Sequence, residues 1–236
     1  MTRPSLSLAL ALALPQVQDT SFLHGIDLAS QSVLRSETGA YLGGLTTLGS
    51  TGAMVEALDF DAAGRDLWAV ARDGAGVDVG TLDLGTGAFT RRGGAPIVGA
   101  VTDLASAPDG RTWYVAERSG GDAVVWRGEL PNADLQPWVT LAGSGPLAGL
   151  SVTDTGRVVA CEGASGVLVE LDAVSGARTV LSTLNTNGDL PLGMDFDWAT
   201  GELFAVLGPT SPRFATIHLA TGAAATVADL ASIQAP

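Results

Sequence analysis

The sequence predicts an all-β chain built from a unit of four short antiparallel strands that recurs about every 45 residues. Two observations carry that prediction. One strand–turn–strand motif returns at a fixed interval, and a second such motif fills the remainder of each interval.

The first motif spans 57–70, 103–116, 149–160 and 193–206, with turn glycines at Gly64, Gly110, Gly156 and Gly201, spaced 46, 46 and 45 residues apart. Ahead of each turn, apolar residues alternate with polar or small ones, as in Leu58 and Phe60 or Met194 and Phe196. That period of two is the pattern of a strand. Asp109-Gly110 and Asp154-Thr155-Gly156 supply the turn chemistry of tight hairpins, so the flanking strands are antiparallel.

The second motif covers 81–90, 169–180 and 216–227, and a diverged copy lies near 124–132. Two hairpins per 45 residues is the arithmetic of a four-stranded blade, and the chain is expected to be a β-propeller. Residues 22–34 align with the second motif and make a fifth copy of it against four of the first. Five blades are therefore expected, the N-terminal one abbreviated. A closed ring is favoured over an open array because an open array exposes strand edges.

Composition agrees. The 31 glycines among 236 residues punctuate hairpins, and a charged fraction of only 16% fits sheets packed on both faces. Hydrophobic residues at 46% exclude a disordered chain. With 12 arginines, no lysine and a net charge of -13, the surface repels phosphate, so no nucleic-acid partner is expected. The missing lysine also excludes a Gly-x-x-x-x-Gly-Lys-Ser/Thr phosphate loop.

The N-terminus reads as an export signal: Arg3, an apolar run from Leu6 to Leu14, and Pro15 before the polar stretch Gln16 to Thr20. The expected division is a signal peptide and mature tail over 1–18 and one propeller domain over 19–236. The expected product is a secreted or periplasmic monomer with no membrane span. The single Cys161 sits in an apolar run and reads as a buried small hydrophobe rather than a nucleophile.

The stretch Met194–Val206, with its Asp-Phe-Asp, Thr-Gly and Leu-Phe-Ala-Val, and the stretch Ile217–Gly222 resemble the repeat of NHL and YVTN-type propellers and related secreted bacterial propeller domains. The resemblance covers roughly residues 22–230 and implies a fold that many functions share. No blade ends in Trp-Asp, and no Tyr-Val-Thr-Asn occurs.

Among acidic residues, Asp61, Asp109, Asp154 and Asp197 stand at turns and read as hairpin caps. Positions that differ between repeats are better functional candidates. Just before the four first motifs stand Glu56, Thr102 with Asp103, Ala148 and Leu192. Glu117-Arg118 and Glu162 close the second strands of adjacent blades, where rim loops carry recognition. The candidate binding residues are therefore Glu56, Asp103, Glu117, Arg118 and Glu162. Trp68, Trp113, Tyr114 and Phe204 recur after their turn glycines and read as packing between blades. Trp126, Trp138 and Trp198 fall outside that column and suit packing or, less readily, sugar stacking. His24 and His218 lack clustered partners for a metal.

The expected function is a non-catalytic binding module for a protein, glycan or surface ligand, with no cofactor. The alternative is a hydrolase or lyase similar to lactonase propellers, holding a divalent cation at the central channel with Glu56 and Asp103 as ligands. The asparagine ligands that accompany such a glutamate have no counterpart at Asn132, Asn185 or Asn187.

Overall fold

The turn glycines Gly64, Gly110, Gly156 and Gly201 each lie between two paired strands in a computed structural model, which describes residues 11–13, 22–27, 30–37, 46–61, 64–74, 76–129, 134–208 and 212–229. The described residues contain twenty strands and no helix. Five four-stranded sheets follow one another along the chain. The first comprises β1 (Ala11–Ala13), β2 (Phe22–Asp27), β3 (Ser32–Glu37) and β4 (Thr46–Ser50). The second comprises β5 (Met54–Phe60), β6 (Leu67–Asp73), β7 (Gly76–Leu82) and β8 (Phe89–Ala95). The third comprises β9 (Ala100–Ser106), β10 (Thr112–Ser119), β11 (Asp122–Glu129) and β12 (Gln136–Leu141). The fourth comprises β13 (Leu147–Val152), β14 (Val158–Glu162), β15 (Val167–Leu171) and β16 (Arg178–Thr183). The fifth comprises β17 (Pro191–Asp197), β18 (Glu202–Leu207), β19 (Arg213–Ile217) and β20 (Ala224–Asp229). All pairings within the sheets are antiparallel between sequence neighbours, which is a propeller blade repeated.

The first strands form the hub. β5 lies against β9, β9 against β13 and β13 against β17, while β1 lies against both β17 and β5. The ring thus closes through a three-residue strand that lies inside the apolar run read as an export signal. The remainder of that run, 1–10 and 14, lies outside the described residues.

The core is a set of wedges between sheets rather than one central mass. On β6, Trp68 and Val70 pack toward the third sheet with Val101, Leu104 and Trp113. Leu67, Ala69 and Ala71, the alternating set, pack toward the first sheet with Val33 and Val55. Equivalent layers join the third sheet to the fourth and the fourth to the fifth. Alternation that would leave one face wet in a single sheet here feeds two neighbours, which explains the scarcity of charge.

Each complete first strand carries one residue without a partner on its second strand: Glu56, Thr102, Ala148 and Leu192. These are the four positions that the repeat alignment marks as variable, and they are β-bulges. Antiparallel connectivity sorts the loops onto two rims. Hairpins 61–66, 107–111, 153–157 and 198–201 lie on one, and the blade-to-blade crossings 51–53, 96–99, 142–146 and 184–190 lie on the other, the crossover rim.

Candidate functional site

Directly after the bulge the four blades place Ala57, Asp103, Gly149 and Gly193, paired with Val70, Ala116, Cys161 and Val206. Three of the four are Ala or Gly: Ala57 packs between blades and an added Cβ at Gly149 would meet the Met194 side chain at 2.4 Å, so Asp103, 4% exposed, is the one carboxylate in this row. Its Oδ1 accepts from Leu104 N–H at 3.0 Å and its Oδ2 from Leu150 N–H at 2.7 Å on the next blade. One carboxyl group therefore satisfies backbone donors from two first strands, β9 and β13, donors that a buried strand edge would otherwise leave unpaired.

Two residues further along stands a second hub position, held by Asp59, Ala105, Ser151 and Asp195 in successive blades. Asp59 accepts from Phe60 N–H at 2.7 Å and from Ser106 N–H of the next blade at 2.6 Å. Asp195 accepts from Phe196 N–H at 2.8 Å. Burial raises Asp59 to about 7, with the neighbouring Asp61 adding in the same direction. Burial raises Asp103 well above the carboxylate range too, reinforced by the charge of Asp59. Of the two Asp-Phe-Asp triplets, the second members Asp61 and Asp197 cap turns as the sequence reading expects, accepting from Arg65 N–H and Ala199 N–H. Asp109 caps its turn in the same way, accepting from Thr112 N–H at 2.8 Å. In the fourth blade Thr153, rather than Asp154, accepts from Arg157 N–H.

The remaining candidates stand on the crossover rim. Glu56 meets Arg72 through two hydrogen bonds, Nε to Oε1 at 3.1 Å and an Nη to Oε2 at 2.6 Å, and Oε2 also accepts from Val101 N–H at 3.0 Å. Arg72 then donates to the carbonyls of Ile97 at 2.8 Å and Gly99 at 2.6 Å. Glu117 accepts from Gly99 N–H at 2.6 Å and from Trp126 Nε1 at 2.7 Å. The crossing 96–99 is therefore pinned from both sides by charged groups, whose hydrogen bonds are stronger than neutral ones. Ile97 is fully buried while Val98, its neighbour, is 80% exposed. Met54, 58% exposed, opens β5 on the same rim, and exposed Arg118 pairs with Ala100 just past the crossing.

Glu162 occupies the register position of Glu117 one blade further, since Val101 pairs with Glu117 and Leu147 with Glu162. It forms an ion pair with Arg178 at 2.7 Å and accepts from Ser165 Oγ at 3.2 Å. Glu56, Glu117 and Glu162 thus share one rim, and Asp103 stands apart in the hub. Sequence reading missed Arg72 and Val98. Arg72 was legible as the arginine one strand over from Glu56, but the crossing it pins has no motif.

These donors do not fit the divalent cation of the lactonase-like alternative. Both oxygens of Glu56 and of Asp103 are engaged by a guanidinium or by backbone N–H groups. Among the described residues no three His, Cys, Asp or Glu side chains converge as metal ligands. Cys161 is fully buried and burial pushes its thiol up to about 12, which suits packing and not nucleophilic attack. Trp68 and Trp113 face each other at 5.3 Å across two blades, and Trp198 Nε1 donates to Val152 O, so these rings are packing elements. His218 Nδ1 shares a hydrogen bond with Thr221 Oγ1 in a turn; the His24 side chain lies outside the described residues.

With this geometry in view, the backbone matches solved structures. A chain of the nidogen/laminin complex superposes with a TM-score of 0.65 at 16% identity, covering 92% of this chain and 78% of that one. Virginiamycin B lyase from Staphylococcus aureus, in an inactive form with quinupristin, gives 0.56 at 11% identity, covering 99% and 73%. TolB from Acinetobacter baumannii gives 0.57 at 13%, covering 95% of this chain and 54% of its own length. The fold is a β-propeller. No family model matches the sequence, and no curated protein matches it either. At such identities the likeness speaks for the fold alone.

Proposed function

We propose that this chain is a non-catalytic propeller that binds a protein, glycan or surface component through its rim loops, outside the cytoplasm. One observation carries the reading: Val98 stands 80% exposed on a crossing whose backbone is held by Arg72 and Glu117. An apolar side chain on a rigid loop beside charged groups gives a partner a surface that loses little ordering entropy on binding. A propeller of the same fold occurs in a nidogen/laminin complex, and this reading extends a comparable use to the present chain.

A photo-crosslinking residue placed at position 98 tests the rim. Val227, 52% exposed on the outer strand β20, is the control. Adducts from position 98 and none from 227, abolished by Met54→Asp, support the reading. Equal labelling at both positions, or none at either, overturns it. Export rests on the run from Leu6 to Leu14, and N-terminal sequencing of the protein from producing cells tests it. A start within 14–20 supports export and takes β1 away from its place between β17 and β5, and a start at Met1 or Thr2 overturns export and leaves β1 as the closing strand.

A further inference from the structure

On the hairpin rim, beside the outer strand β12, lies a groove that the crossing 96–99 does not touch. It is an open groove with about 410 Å³ of accessible space, lined by Arg127, Glu129, Asp134, Gln136 and Trp138. That volume is in the range of small-ligand sites, roughly 300–1,000 Å³.

Two of these side chains are fixed by packing. The half-buried Trp138 lies 5.1 Å from the Tyr114 ring, and the turn at Gly176 lies against it at ordinary contact distance, an added Cβ there standing 3.6 Å from the indole and 3.0 Å from Val139. Arg127 donates to Ala173 O at 3.0 Å and lies 5.9 Å over Tyr114. Glu129, Asp134 and Gln136 are exposed beside them.

We propose that this groove takes a neutral pyranose unit of a glycan, an inference that rests on the binding-module reading and names its ligand class. An indole offers an apolar face to the C–H groups of a sugar ring, while carboxylate, amide and guanidinium groups can each bridge neighbouring hydroxyls. A purely apolar ligand would strip water from Glu129 and Asp134 without replacing its hydrogen bonds. A sulfated or uronic glycan would meet those carboxylates within a chain of net charge -13.

The test is titration of the full chain with hexasaccharides of glucose, mannose, galactose and N-acetylglucosamine, read by tryptophan fluorescence and calorimetry. At least one is expected to bind. Gln136→Ala and Asp134→Ala, exposed and remote from the core, are expected to weaken it at least fivefold with the melting temperature unchanged, and Trp138→Ala at least tenfold. Trp138→Phe separates loss of stacking from loss of folding, because it keeps a ring against Tyr114 and should restore part of the affinity. No binding of any neutral hexasaccharide overturns the inference, as does tighter binding of a lysine-rich peptide or of a sulfated hexasaccharide. Binding that ignores all three groove positions but disappears in Val98→Asp would overturn the groove and leave the rim reading standing. Binding lost in the groove variants with no crosslink from position 98 would do the reverse.

Discussion

Stability should fall as pH rises from about 4 to about 7.5, the reverse of what most salt-bridged carboxylates impose. Asp59 moves from an ordinary 3.8 to about 7 in the folded hub because burial disfavours its charge. A group whose folded value lies above its unfolded value binds more protons when folded. Its contribution is therefore complete below about 4 and is lost as pH passes about 7. About three pH units at 1.36 kcal/mol each give about 4 kcal/mol, or roughly 8 °C in melting temperature for a chain of this size. Asp83, Asp109, Glu170 and Asp172 are shifted down by hydrogen bonds from Thr86, Thr112, Arg157 and Ser175. Their stabilisation is lost only as pH falls through about 4.5 and below, so the two windows meet only near pH 4. Asp59→Asn isolates the effect. Asparagine is neutral like the protonated acid but offers one acceptor where both Asp59 oxygens accept N–H groups, so near pH 5 the variant should melt below the native protein. That gap should narrow by several degrees toward pH 7.5, because the variant lacks the Asp59 slope, and the remaining slope should come from Asp103. Differential scanning calorimetry from pH 4 to 8 decides this. A slope that rises with pH, or one unchanged in Asp59→Asn, would refute the hub electrostatics.

Three further outcomes follow from packing. Gly99→Ala places a Cβ 2.1 Å from Arg118 O and 2.7 Å from a Glu117 oxygen, so the crossing must shift; a loss of about 2–3 kcal/mol in denaturant melts is expected, with faster amide exchange confined to 96–101. Arg72→Met leaves Glu56 without its guanidinium partner and frees the carbonyls of Ile97 and Gly99. It should cost about 2–4 kcal/mol, and an unchanged denaturant midpoint would contradict the pinning of that loop. Cys161, fully buried and raised to about 12, should resist a disulfide reagent at pH 8 for hours and react at once in guanidinium.

The sequence by itself determined the blade. Turn glycines at intervals of 46, 46 and 45 and the alternation of Leu58 with Phe60 depend only on neighbours in the chain, and a period of two is visible without knowing what lies across it. It also marked the right positions for scrutiny, since Glu56, Thr102, Ala148 and Leu192 are bulges. Their roles were not legible. Asp103 accepts from Leu150, 47 residues away, and Glu56 accepts from Val101, 45 residues away. Each acts across one full repeat, where sequence distance says nothing about the direction of a side chain. Asp59 and Asp61 look alike as an Asp-Phe-Asp triplet, yet one binds the next blade and the other its own turn. Ring closure is the extreme case. β1 reaches both β5 and β17 because a cyclic array brings the first blade beside the last, and only tertiary structure makes those residues neighbours.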